Sequence, residues 1–244
     1  VISMKQDDLY QNVEFYILEA LMECANKKDY LNLLSANSVS HVAPIIIDDL
    51  LSFAKKDPAA KLNPLFILKS YTSFSAVLHY RVAHWIYQYK EKEYIDNLLP
   101  ALLSKRGKLL SGAEIHFRSQ IGNRFILDHG FGTVIGETSV LGDDCYILGG
   151  VTLGAKGISQ NPDEPRHPII GDRVQIGSGS SIFGRVKIGN DVFIGSNCII
   201  TQNISDGAKV KIQSKIQITY PDALNKESYR LKNTSSCCEY EGIV

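Results

Sequence analysis

With 244 residues, 44% hydrophobic and 21% charged, and with 26 basic against 26 acidic side chains, the chain has the composition of a globular protein rather than a disordered or fibrous one. Its formal net charge of zero, with basic clusters no longer than Lys105-Arg106 and Lys108, argues against a polyanion-binding surface. No apolar run approaches the ~20 residues that cross a bilayer, and Val1 to Asp8 lack the charged-then-apolar order of a secretory signal, so the expected location is the cytoplasm.

The first half reads as helical. Apolar residues return every three or four positions from Leu9 to Cys24 and again from Leu65 to Tyr89, and Pro100 to Leu110 reads as a last short helix. Asp57 before Pro58 is a helix-start signal, with the carboxylate as N-cap and proline at the first helical position. The five cysteines (Cys24, Cys145, Cys198, Cys237, Cys238) are odd in number and lack metal-ligand spacing, which predicts reduced thiols.

Past Ser111 the period changes to six. Aliphatic residues stand at Ile115, Ile121, Leu127, Ile135, Leu141, Ile147, Leu153, Ile170, Ile176, Ile182, Ile188, Ile194 and Ile200, often followed by Gly, with a small or apolar residue four places on. Six residues are too few for a helix and its turn but suit a short strand and a bend, three of which close one triangular coil that stacks on the next. The predicted fold is therefore α+β: an all-α helical domain over 1–112, then a left-handed parallel β-helix over 113–212, then a tail over 213–244. The register breaks twice. Eight residues separate Leu127 from Ile135, around His129, and seventeen separate Leu153 from Ile170, extruding a loop over 155–168 that carries Arg166-His167. A loop leaving a rigid scaffold is a usual place for function.

The repeat, together with Asp57-Pro58-Ala59, Tyr80-Arg81-Val82-Ala83-His84-Trp85, Leu127-Asp128-His129, Val134-Ile135-Gly136-Glu137-Thr138 and Arg166-His167-Pro168, resembles the serine acetyltransferases among the hexapeptide acyltransferases. The resemblance covers most of 55–212. It implies acetyl transfer from acetyl-CoA to the hydroxyl of L-serine in cysteine biosynthesis, without a metal and with feedback inhibition by L-cysteine. It places the catalytic base on His129, its supporting carboxylate on Glu114 where the family usually has Asp, and a further site histidine on His167. Arg166 and His167 would meet the serine carboxylate, and Asp57 and Asp128 its ammonium. Small residues of the solenoid, Gly179, Ser180, Ser196 and Asn197, are candidates for the coenzyme groove, and Lys209 and Lys211 for its phosphates. The family's site lies between subunits of a homotrimer, which in many members pairs into a dimer of trimers through the helical ends. Members often insert a C-terminal Ile into O-acetylserine sulfhydrylase; this chain ends Gly242-Ile243-Val244 and lacks the usual Gly-x-Pro-Ala ending.

Other readings compete with these. Asp57 also serves as a plain helix cap, His84 reads as a packed core histidine, His116 as a surface residue, and His79 and His41 belong to no catalytic motif. A sugar or antibiotic acetyltransferase would lack the helical half. A zinc hydratase on the same scaffold would need three His ligands around an open position; His116, His129 and His167 lie in the repeat region, but the one closely spaced pair, His79 with His84, lies in the helical half. A non-catalytic scaffold would be inactive with every acyl donor.

Overall fold

Among the described residues six α-helices run ahead of the first strand: α1 (Gln6–Cys24), α2 (Lys27–Ser35), α3 (Ser38–Lys56), α4 (Pro64–Ser70), α5 (Thr72–Gln88) and α6 (Leu98–Ser111). The computed structural model describes residues 6–89, 97–159, 161 and 163–213. Pro162 and the chain from 214 onward, with Cys237, Cys238 and the terminal Gly242-Ile243-Val244, lie outside the described residues.

The single helix expected over Leu65 to Tyr89 is two. Asn63 caps α4 by accepting the Phe66 N–H at 3.2 Å, and the chain turns extended at Tyr71 before α5 begins. Asp57 does cap a turn, but a 3-10 turn (Pro58–Ala60) rather than an α-helix, accepting the Ala59 N–H at 2.8 Å.

Fourteen short parallel strands follow among the described residues. The first coil holds β1 (Glu114–Ile115), β2 (Gln120–Ile121) and β3 (Ile126–Asp128); the second β4 (Val134–Ile135), β5 (Val140–Leu141) and β6 (Tyr146–Leu148). The third holds β7 (Thr152–Gly154), β8 (Ile169–Ile170) and β9 (Gln175–Ile176), and the fourth β10 (Ser181–Phe183), β11 (Lys187–Ile188) and β12 (Phe193–Ile194). The fifth has β13 (Ile199–Ile200) and β14 (Lys209–Val210), with Ile204 bridging to Ile188 between them. Each strand pairs only with its counterparts in adjacent coils, so the three faces of the prism are β1-β4-β7-β10-β13, β2-β5-β8-β11 and β3-β6-β9-β12-β14.

All of the predicted aliphatic positions point inward and are buried. Ile115, Ile135, Leu153, Ile182 and Ile200 form one ladder in register; Ile121, Leu141, Ile170 and Ile188 a second; Leu127, Ile147, Ile176 and Ile194 a third. Where the second face turns into the third, side chains substitute for a missing strand partner. The Asn123 N–H donates to Asp143 Oδ1 (2.8 Å), Asp143 N–H to Asp172 Oδ1 (2.9 Å), Asp172 N–H to Asn190 Oδ1 (2.8 Å) and Asn190 N–H to Asp206 Oδ1 (2.9 Å).

Helix α5 fastens the helical half to the first coil. Tyr80 donates its hydroxyl to Ser119 O (2.8 Å) and accepts the Ile121 N–H (3.1 Å), and His84 Nδ1 lies 2.9 Å from Phe117 O. Arg81 pairs with fully buried Asp49 of α3 (2.8 Å) and donates to the carbonyls of Ile121 and Gly122. Asp49 in turn accepts the Phe125 N–H (2.8 Å). Removing either partner of such a buried pair strands the other, which costs about 3–5 kcal/mol. The Tyr80-to-His84 stretch is thus a structural seam, and His84 a half-buried histidine packed into it. No described helix is long and apolar enough to cross a membrane.

Candidate active site

The corner between β3 and β4 carries the first register break, and there the chain enters the left-handed region at His129 (φ 60°) and Gly130 (φ 62°). A non-glycine residue rarely adopts this conformation without a reason imposed by its surroundings. The same conformation recurs at other corners of the solenoid, at Arg124, Asp144, Arg173, Asp191 and Asn197, so the reason here is the geometry of the corner. A Cβ on Gly130 would sit 2.8 Å from Ser73 Cβ, so the bend fits closely under the start of α5. The outcome is a His129 side chain that is 83% exposed, with Nε2 at 3.8 Å from Asp128 Oδ1.

Beside it opens a cavity of about 410 Å³ lined by Asp57, Tyr71, Thr72, Ser73, Asp128 and His129, with Ala59 and Ser70 at its edge. Two predicted serine-binding carboxylates therefore converge from opposite halves of the molecule on the predicted base. Each carboxylate takes a phenolic hydrogen bond: Tyr71 donates to Asp57 Oδ2 at 2.5 Å, and Tyr146 donates to Asp128 Oδ2 at 2.8 Å. Neither tyrosine belongs to a motif in the sequence, and both were invisible there.

The second register break builds another cluster, at the corner between the β1-β4-β7-β10-β13 face and the β2-β5-β8-β11 face. Glu137 lies between two arginines, accepting Arg118 Nη1 on Oε1 (2.7 Å) and Arg166 Nη2 on Oε2 (2.5 Å). Burial alone would raise this carboxyl, but the two guanidinium hydrogen bonds outweigh it and hold it below the ordinary glutamate value. Thr138 Oγ1 accepts the backbone N–H groups of Arg166 (2.9 Å) and His167 (3.1 Å), fixing the end of the extruded loop.

His167 is nearly buried. Thr138 N–H donates to its Nδ1 at 3.2 Å, which requires that nitrogen to be unprotonated, and burial followed by the Arg166 charge pushes the ring below the ordinary histidine value. The neutral ring then carries its hydrogen on Nε2, which lies over Gly136: a Cβ there would meet His167 Nε2 at 2.2 Å. This tautomer makes His167 a hydrogen-bond donor. His116 is also drawn in. It is half-buried and stacked on Phe117 (4.6 Å), with burial lowering its ring, rather than the surface residue expected.

Two predicted residues take other roles. Ser180 is fully buried, donating its hydroxyl to Gly195 O (2.8 Å) and accepting the Cys198 N–H (3.1 Å), so it faces the solenoid core and not a coenzyme. Glu114 is partly exposed and its carboxylate is paired with Lys108 of α6. Among the described residues no hydrogen bond or ion pair joins His129 to Glu114, Arg166 or His167. The remaining small residues do align with the base: Gly150 (φ 75°), Gly179 (φ 71°) and Asn197 (φ 60°) occupy the corners of successive coils above His129, with Ser196 exposed beside them. Lys209 and Lys211 are exposed at the last coil.

Residues 167–202 match the family model described as bacterial transferase hexapeptide (six repeats). The chain is 39% identical over 163 residues to a serine acetyltransferase of Synechococcus elongatus, covering 66% of this chain and 63% of that one. It is 38% identical over 157 residues to that of Staphylococcus epidermidis, covering 64% and 70%. The chain belongs to the serine acetyltransferase family. Solved serine acetyltransferases superimpose on it: isoform 3 of Entamoeba histolytica in complex with cysteine (TM-score 0.68, 33% identity, 88% of this chain and 75% of that one). So do the Neisseria gonorrhoeae enzyme in complex with serine (0.68, 27%, 84% and 83%) and the Brucella abortus enzyme in complex with coenzyme A (0.66, 28%, 81% and 76%). The expected architecture, helices followed by a parallel solenoid of hexapeptide repeats, is therefore that of the serine acetyltransferases. Among the described residues no group of three or more His, Cys, Asp and Glu is placed to hold a metal ion.

Proposed function

We propose that this serine acetyltransferase transfers acetyl from acetyl-CoA to L-serine in the cytoplasm as a homotrimer, with His129 as general base. The observation that carries the assignment is the exposed His129 beside a cavity holding Asp57 and Asp128. The serine ammonium suits the two carboxylates, and its hydroxyl then comes within reach of the imidazole. His129 takes the hydroxyl proton as the oxygen attacks the thioester carbonyl, the tetrahedral intermediate expels the coenzyme thiolate, and the imidazolium returns the proton to that sulfur.

The serine carboxylate needs a cationic or N–H donor partner, and the cavity lining has no Lys or Arg. Arg166 and His167 sit at another corner of the same prism, across the β1-β4-β7-β10-β13 face. A three-fold assembly that sets the His129 corner of one subunit against the Arg166-His167 corner of the next supplies the missing donors, as the family resemblance implies. The corner glycines and Ser196-Asn197 above His129 then line the coenzyme groove, with Lys209 toward its phosphates. Glu114, whose carboxylate pairs with Lys108, is the supporting carboxylate that the family resemblance implies, and the helical half contributes Asp57 while offering its outer face to a dimer of trimers. The tail is the segment that O-acetylserine sulfhydrylase would engage.

The reading is tested by mixing the protein with acetyl-CoA and serine, homoserine, a galactoside or chloramphenicol and following free thiol. Release with serine, competitively suppressed by L-cysteine, is expected, since cysteine keeps the ammonium and carboxylate and alters one heteroatom. Preference for another acceptor overturns the assignment.

A further inference from the structure

We propose that Tyr71 and Tyr146 are positioning residues for the acceptor's ammonium group, their hydroxyls fixing the two cavity carboxylates without neutralising either. The inference rests on the reading of this cavity as the ammonium pocket and adds the device that shapes it.

Two carboxylates facing one cavity repel each other and turn freely unless something holds them. A lysine or arginine would hold them but would also cancel the charge needed for a cationic ligand. Here the donors are neutral. Asp57 spends Oδ1 on the Ala59 N–H (2.8 Å) and Oδ2 on the Tyr71 hydroxyl (2.5 Å), which fixes its plane. Asp128 gives Oδ2 to Tyr146 (2.8 Å), leaving Oδ1 on the side of His129. The lone pairs left over belong to anions, and an ammonium brings three donors to meet them.

The hydroxyls remain donors throughout the enzyme's working range. The hydrogen bond to Asp57, then burial, pushes Tyr71 up to about 12, and burial followed by the bond to Asp128 raises Tyr146 as well. One ring aligns both. Phe53 of α3 is fully buried and meets Tyr71 edge-on (5.5 Å, 75°) and Tyr146 edge-on (6.4 Å, 78°). Tyr71 comes from the link between α4 and α5 and Tyr146 from β6, so a single phenylalanine sets the carboxylate pair across the seam between the helices and the solenoid.

The test is steady-state kinetics of Tyr71→Phe and Tyr146→Phe, which keep the rings and their contacts with Phe53. Each is expected to raise the serine KM about three- to tenfold, the range of one ordinary hydrogen bond, because the hydroxyl acts through the carboxylate and does not touch serine, while the KM for acetyl-CoA and the melting temperature stay near wild type. Discrimination between serine and 3-hydroxypropionate, which lacks the ammonium, should narrow in both variants, a readout that packing alone would not move. An unchanged serine KM in both variants, with Asp128→Asn still raising it, overturns the role of the tyrosines and leaves the cavity assignment standing. A rise confined to the acetyl-CoA KM in all three overturns both. A lower melting temperature with unaltered KM values makes the tyrosines structural and sinks the proposal.

Discussion

His129 owes its reach to backbone conformation rather than to a long side chain. Its left-handed φ of 60° turns the imidazole away from the solenoid core, and the tight fit of Gly130 beneath Ser73 keeps it there. Because the side chain is 83% exposed and supports no packing, its removal should leave the fold intact. We expect His129→Ala to lower turnover with serine by at least ~100-fold, the lower end of what a positioned general base contributes. The melting temperature should not change. Turnover near wild type in the purified variant would remove His129 from the mechanism. Cys145 offers no substitute nucleophile, since burial pushes its thiol up to about 11 and its sulfur faces the carbonyl of Gly171.

Among the elements, α5 carries the clearest acid sensitivity. Burial, helped by the nearby Arg81 charge and only partly offset by the hydrogen bond to Phe117 O, leaves the His84 ring below its ordinary value of 6.5. The unfolded chain therefore binds a proton near pH 6.5 that the folded chain resists. Stability from this group is fully present above that pH and is lost as pH falls toward and through the lowered folded value. Melting temperature measured from pH 8 to 5 should decline below about 6.5, and His84→Asn, whose amide N–H takes the place of Nδ1 toward Phe117 O, should flatten the decline. Equal pH slopes in both proteins would assign it to the other buried rings, His79, His116 and His167.

The same elements show what was legible in advance. A period of six announces strand, bend and coil because every inward position repeats, so all three ladders and both breaks could be counted from residue types alone. The inward column also contains Ser139, Cys145, Val174 and Ser180, all buried, and that register would have excluded Ser180 from the coenzyme groove had it been applied to the serine as strictly as to the isoleucines. Tyr71 and Tyr146 left no trace, since their partners lie 14 and 18 residues away in different turns of the structure. Likewise the break of α4 from α5 at Tyr71 is a local extended residue inside an unbroken apolar periodicity. Glu137 stood in a motif, but its bridging of Arg118 and Arg166 depends on three successive coils stacking at one corner.

At the scale of the whole molecule, the corner where Asn and Asp side chains cap backbone N–H groups gives the solenoid a direction. Each coil's N–H is satisfied by a side chain of the coil after it, never the reverse: Asn123 by Asp143, Asp143 by Asp172, Asp172 by Asn190, Asn190 by Asp206. At the other end, Tyr80, Arg81 and His84 of α5 clamp the first coil. The stack is therefore a zipper with one fastened end, and it should fray from β14 backward, orphaning one donor per coil as it opens. Amide exchange should then be fastest around 199–210 and slowest in the first three coils. Asp206→Ala should accelerate exchange of the Asn190 amide while leaving that of Asn123 unchanged; equal acceleration at both would mean that the coils open together. A lesion near Asp206 would thus be felt first far from His129, and the corner that presents the base would be among the last parts of the solenoid to unravel.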